Sequence, residues 1–164
     1  MGSIICSLLL LAVFTSGYLS NHEPKLGADP RGFFMVDDQI VIRDGWLQEG
    51  PPSQKITAAY LVIENHSNAD IALKSASTDA AEVIELHKME LVDGLMKMHR
   101  VDTIDIPAGG KTELKPGGFH LMVIGLKRTL KSGDQVRITL QFSNDLSKTI
   151  TIPVKTRGEI EKEN

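Results

Sequence analysis

His87, Met89, Met96, Met98 and His99 put three thioethers and two imidazoles into the tract 87–99, and a further His-x-Met follows at His120 and Met122. Thioether sulfur is neutral and polarizable, so a site that mixes Met with His favours copper(I) over zinc, magnesium or calcium. Zinc prefers Cys, His and carboxylate. The single cysteine, Cys6, lies in an apolar N-terminal run, which leaves no Cys-based zinc site and no internal disulfide. An iron facial triad asks for two His and a carboxylate with open positions, and this cluster does not offer that set. Methionine is also an ordinary core filler, and a histidine among apolar residues is commonly a satisfied structural group. Composition alone therefore leaves both a metal site and a plain core open.

The elements that must position these residues read as short strands. "QIVIRDGWL" (39–47), "KITAAYLVIEN" (55–65), "IALKSAS" (71–77), "AEVIELHKME" (81–90), "GLMKMHRVDTIDI" (94–106), "FHLMVIGL" (119–126), "DQVRITLQFS" (134–143) and "KTITIPVK" (148–155) are β-branched or alternating, and turn-forming residues separate them. A further short strand sits inside the glycine-bearing "PAGGKTELKPGG" (107–118). No long segment keeps a helical apolar period, so the pattern predicts an antiparallel sandwich or barrel.

Side chains alternate along a strand, so His87 shares a face with Met89, Met96 with Met98, and His120 with Met122. Asp93-Gly94 is the strongest hairpin signal in the chain. A two-residue turn there opposes Val92 to Leu95, Met89 to Met98 and His87 to Arg100. Met98 then becomes the diagonal neighbour of His87, within reach of long side chains, and Lys88, Lys97 and His99 fall on the opposite side. A strand carrying His120 and Met122 completes a site if it lies beside this hairpin.

The chain has 164 residues, 41% hydrophobic and 24% charged, with a net charge of −3 at pH 7. That suits one domain with a real core and argues against nucleic acid, whose binders are usually basic. Residues 3–20 carry no charge and are short for a membrane span. Residues 1–20 read as a signal peptide or an N-terminal anchor, although "MGS" lacks a basic residue and no A-x-A site is present. Residues 21–38 read as a polar linker, 39–155 as the β domain and 156–164 as a charged tail. The domain is expected on the far side of a membrane, periplasmic or extracytoplasmic, secreted or tethered by residues 3–20.

The spacing His87, ten residues, Met98, twenty-one residues, His120, one residue, Met122 resembles the H-x10-M-x21-H-x-M motif of the PCuAC-type periplasmic copper(I) chaperones. The text around it, "IRDGWLQEGPPSQKITAAYLVIEN" and "IPAGGKTELKPGGFHLMVIGLKRTLKSGDQVRITLQF", is similar to the family's strands over roughly residues 39–154. The resemblance implies a cupredoxin-like antiparallel Greek-key β-sandwich of about eight strands. It also implies one copper(I) per chain held by His87, Met98, His120 and Met122, and delivery to the copper centre of cytochrome c oxidase. The implied partner is a copper acceptor, the oxidase copper subunit or a Sco-like thiol protein, and the protein is expected to be a monomer. Some members carry a His/Met-rich C-terminal extension; "VKTRGEIEKEN" has neither residue.

Two other readings compete. An electron-transfer cupredoxin needs a Cys thiolate with two His, and the cysteine here is in the leader. A non-metal sandwich for adhesion or assembly would use the methionines only for packing, which leaves the motif spacing without a cause. An enzyme finds no support, since no G-x-S-x-G, phosphate-cradling loop or Cys/His nucleophile pair occurs. The carboxylates Glu82, Glu85 and Glu90 read as a solvated face, and Trp46 as a core anchor.

Overall fold

The computed structural model describes residues 39–163. The expected leader and linker, residues 1–20 and 21–38, lie outside the described residues. Among the described residues ten strands are formed: β1 (Ile40–Gln48), β2 (Ile56–Asn65), β3 (Ile71–Thr78), β4 (Val83–Val92), β5 (Leu95–Arg100), β6 (Ile104–Ile106), β7 (Lys111–Leu114), β8 (Phe119–Ile124), β9 (Gln135–Phe142) and β10 (Ser147–Lys155). One helix, α1 (Arg157–Glu163), follows.

Alternation drives most of these strands. In β9, Val136, Ile138, Leu140 and Phe142 are buried while Gln135, Arg137 and Gln141 face water. In β2, Ala59, Leu61 and Ile63 turn inward. Burying each of these side chains other than Ala59 contributes about 1.5–3 kcal/mol, and together with Leu47, Leu73, Ile104, Leu121 and Val123 they form one continuous core.

The ladder runs β5-β4-β8-β7-β2-β1-β10-β9-β3-β6, with additional pairings β4–β3 and β8–β2. The β8–β2 pairing makes one layer of β5, β4, β8, β7, β2 and β1, with β7 beside both β8 and β2, and β10, β9, β3 and β6 make the other. The layers are joined through β1–β10 and through a bridge between Ala76 of β3 and Ile84 of β4. This is the β-sandwich that the sequence implied, with two differences. Two pairings, β1 with β10 and β7 with β8, are parallel. The tract read as one strand over 94–106 is two, because the chain changes layers at residues 101–103. β5 pairs with β4, whereas Ile104 and Ile106 turn into the core and pair with Leu73 and Ile71 of β3.

The segment read as a charged tail carries α1. Thr156-Arg-Gly-Glu159 is a capping box: the Glu159 amide donates to Thr156 Oγ1 at 3.3 Å, and the Thr156 amide donates to Glu159 Oε2 at 2.6 Å. The Ser132 hydroxyl adds a 2.8 Å bond to the same carboxylate, which ties the helix start to the turn before β9. Among the described residues, no helix is long and apolar enough to cross a membrane.

Candidate metal centre

The β4–β5 hairpin closes on Asp93 and Gly94, both with positive φ (54° and 77°). That is the type I′ geometry whose twist suits a two-residue turn and which favours Asp-Gly. The tight turn fixes the register: Val92 opposes Leu95, Met89 opposes Met98, and His87 opposes Arg100. Met98 is therefore the diagonal neighbour of His87 on one face. His99 opposes Lys88 on the other face.

β8 lies along the opposite edge of β4, so β4 is the middle strand of the three. The register sets His120 directly across from His87 and Met122 across from Glu85. All four residues singled out by spacing thus share one face of β5-β4-β8. The two imidazole centroids are 5.8 Å apart. With metal–nitrogen bonds of about 2 Å, two imidazoles sharing one ion have centroids up to about 6 Å apart, so the pair can hold a single ion with little rearrangement. Leu86 and Leu121, adjacent to the histidines in sequence, point the other way into the core. A one-residue slip of either strand would put an imidazole in the core and a leucine in the site.

His120 is placed by the turn Lys115-Pro-Gly-Gly118. Pro116 and Gly117 occupy its centre, Gly117 has φ 79°, and the Gly118 amide donates to the Lys115 carbonyl at 3.0 Å. This is a type II turn, which suits Pro followed by Gly. The Gly118 carbonyl then accepts two bonds, from the Met89 amide at 3.0 Å and from His120 Nδ1 at 3.1 Å. A carbonyl can only accept, so Nδ1 carries the hydrogen and Nε2 keeps its lone pair. Burial is the main cause that lowers the pKa of His120, the Gly118 bond acts against it, and the neighbouring His87 lowers it further. The ring is therefore held neutral, the form a metal ligand requires.

His87 has the complementary arrangement. Its Nε2 lies 2.9 Å from Glu85 Oε2, while Nδ1 is buried without a hydrogen-bond partner. The other oxygen of Glu85 accepts from Arg100 Nη1 at 3.3 Å. The hydrogen bond from His87, with Arg100 as a further contributor, holds the Glu85 carboxyl below the usual range. A buried nitrogen with an unused lone pair costs free energy unless something else occupies it. Both imidazoles thus present one free nitrogen, and Met98 and Met122 supply soft sulfur beside them. Among the described residues no three His, Cys, Asp or Glu side chains converge as a metal cluster.

The surroundings differ from the sequence reading at Trp46. A bulge in β1 between Arg43 and Trp46, with Asp44 at φ 51°, shifts the register so that Trp46 opposes Tyr60. Trp46 is consequently half-buried on the site face and not in the core; Leu47 takes the core position. Trp46, Tyr60, His120 and His87 form a row of rings across β1, β2, β8 and β4, with successive centroid separations of 4.4, 6.3 and 5.8 Å. A 380 Å³ cavity beside the row is lined by Trp46, Tyr60, Met89, Gly117, Arg157 and Ile160, among others. On the outer strand, Met96 and Met98 are about half exposed. Glu85 is the site residue that the sequence reading left among solvated carboxylates. The i, i+2 rule that pairs His87 with Met89 also pairs it with Glu85, and that was the signal available.

A β-sandwich of the cupredoxin-like kind, with an imidazole pair and thioethers on one face of its outer strands, is the class defined by fold and site. Solved structures share the fold, among them the following two. The copper-bound PCuAC domain from PmoF2 is 19% identical, with a TM-score of 0.62 over 72% of this chain and 93% of that domain. The copper(I) form of DR1885 from Deinococcus radiodurans is 34% identical, with a TM-score of 0.52 over 73% of this chain and 78% of that protein. The chain belongs to the LpqE-like family, described as "Putative lipoprotein LpqE-like", whose model matches residues 40–154. A relative in Leifsonia xyli subsp. xyli, named "Putative lipoprotein Lxx21020", is 29% identical over 72% of this chain and 70% of its own length.

Proposed function

We propose that this protein is a copper(I) carrier that works outside the cytoplasm and passes its cargo to the copper centre of cytochrome c oxidase, directly or through a Sco-like thiol protein. The observation that carries the reading is the pair of imidazoles facing each other across β4 and β8, each with one ring nitrogen free. Met98 and Met122 lie on the same face. His87, Met98, His120 and Met122 are the proposed ligands for one copper(I) per chain. Likeness to the copper(I) form of DR1885 at 34% identity adds support, as does the spacing His87-x10-Met98-x21-His120-x-Met122.

Four neutral donors leave the bound ion with its own single positive charge. A divalent ion in the same half-buried site would keep twice that charge uncompensated, and thioethers suit it poorly. The half-exposed Met98 on the outer strand is the donor an acceptor can displace first. Transfer then proceeds by ligand exchange: each copper–side-chain bond that breaks is replaced by a copper–acceptor bond, and no covalent bond of the chain is made or broken, which is a carrier's task and not an enzyme's. The uncharged run 3–20 and the likeness to proteins named as lipoproteins support a domain outside the cytoplasm. Residues 1–20 serve as leader or anchor and 21–38 as linker, and the carrier acts as a monomer.

The test is an anaerobic copper(I) titration against a competing chelator, followed by X-ray absorption on the loaded protein. The expected result is one tight equivalent with mixed sulfur and nitrogen scattering. A shell of nitrogen and oxygen alone, or an affinity unchanged by Met98→Ala and Met122→Ala, would overturn the assignment.

A further inference from the structure

The two histidines of the proposed site are not held in the same way. His120 spends Nδ1–H on the Gly118 carbonyl at 3.1 Å, which leaves Nε2. His87 faces a carboxylate through Nε2, at 2.9 Å from Glu85 Oε2. A carboxylate, like a carbonyl, accepts and does not donate, so the hydrogen of His87 sits on Nε2. The remaining nitrogen, Nδ1, is the buried side-chain polar atom without a hydrogen-bond partner among the described residues. The Glu85 side chain is itself three-quarters buried, and its second oxygen accepts from Arg100 on β5 at 3.3 Å. The carboxylate is thereby held between β4 and β5 and cannot rotate away from the ring without losing both bonds.

We propose that Glu85 is a positioning residue that fixes the ring orientation and hydrogen of His87, so that this imidazole offers Nδ1 to the soft cation while His120 offers Nε2. The inference rests on the copper(I) reading above and names the donor atom on each ring. A hydrogen-bonded carboxylate on the far nitrogen raises the basicity of the ligating one and limits its orientation, and loss of such a partner typically weakens metal binding about 10- to 100-fold. Arg100 acts one step further out by holding Glu85. Glu85→Gln keeps an accepting oxygen in place, whereas Glu85→Ala removes it.

The experiment is nitrogen-15 NMR of the imidazoles in the full chain, before and after anaerobic copper(I), for wild type, Glu85→Ala and Glu85→Gln. In wild type without metal, His87 should carry its hydrogen on Nε2, with slowed solvent exchange. Copper(I) should move the resonances of His87 Nδ1 and His120 Nε2. Glu85→Ala should speed that exchange and weaken copper(I) binding about tenfold or more, and Glu85→Gln should restore most of both. Wild-type binding with the shift at His87 Nε2 would overturn the donor assignment alone. Equal, wild-type-like affinity and exchange in Glu85→Ala would overturn the positioning role. No shift at either ring in wild type would overturn the copper reading, and the donor assignment with it.

Discussion

Alternation along β5 makes a sharp distinction between two neighbouring side chains. Met98 shares a face with His87, whereas His99 lies opposite Lys88 on the other face. The perturbation is Met98→Leu, compared with His99→Gln. Leucine nearly matches methionine in volume, and the side chain is about half exposed, so the metal-free protein should change by no more than about 0.5 kcal/mol. If one of four donors is lost, the affinity for copper(I) falls at least about tenfold, or about 1.4 kcal/mol. With free copper(I) buffered at about 100 times the wild-type Kd, binding stabilises the wild type by about 2.7 kcal/mol; a tenfold weaker variant retains about 1.4 kcal/mol. For a domain of about 120 residues, with an unfolding entropy of about 2.1 cal/mol/K per residue, the missing 1.3 kcal/mol or so corresponds to about 5 °C of the copper-induced rise in Tm. The assay is anaerobic thermal unfolding at fixed chelator-buffered copper(I), with metal-free melts as reference. His99→Gln should keep the whole rise. A full rise in Met98→Leu, or its loss in His99→Gln, would refute the face assignment and the ligand set built on it.

The turn and the C-terminal cap give two further tests. Gly117 has φ 79° and open space where a Cβ would sit, so Gly117→Ala should lower the unfolding free energy by about 1 kcal/mol through backbone strain alone; an unchanged urea midpoint would contradict the type II turn. Glu159 is depressed to about 2 from 4.5, chiefly by the amide and hydroxyl of Thr156 and then by Ser132. A depressed carboxyl stabilises the fold above its unfolded value and loses that contribution as pH falls through the folded one, so α1 should loosen between about pH 4.5 and 2. Fluorescence of Trp46, which shares a cavity with Arg157 and Ile160 of the helix, should report the change, and a Glu159→Gln variant with the same titration would exclude this cause.

Local rules carried much of this architecture. Period-two alternation and turn chemistry locate the strands, and Asp93-Gly94 is strong enough to set the β4–β5 register without tertiary information. What the sequence could not supply is adjacency. Nothing within β8 states that it pairs with β4, and the opposition of His120 to His87 follows only from the closed ladder. The break at residues 101–103 is hidden for the same reason, since both halves of 94–106 have strand character and differ only in their partner. Trp46 falls on the site face because the bulge at Asp44-Gly45 changes parity; a glycine inside a strand pattern is the signal for such a bulge, and "RDGW" carries it. The cap at Thr156 was legible as Thr-x-x-Glu but was masked by the charge of the tail around it.

The order β5-β4-β8 also bears on how a carrier can bind and still release. In the proposed site both imidazoles stand on strands paired on each side, β4 and β8, with Leu86 and Leu121 locked into the core behind them. Met98 stands on β5, which is paired on one side only and has no buried residue at all. Backbone stability is lowest where a strand lacks a second partner and a buried face. The donors are thus graded from enclosed on doubly paired strands to exposed on the edge strand. An acceptor approaching the edge meets Met98 first and can replace it while the imidazoles still hold the ion, so exchange needs no opening of the core. Exchanging Met98 with His87 would put an imidazole at the edge and leave both thioethers, with Met122 on β8, on doubly paired strands, so that release would have no exposed thioether to displace first.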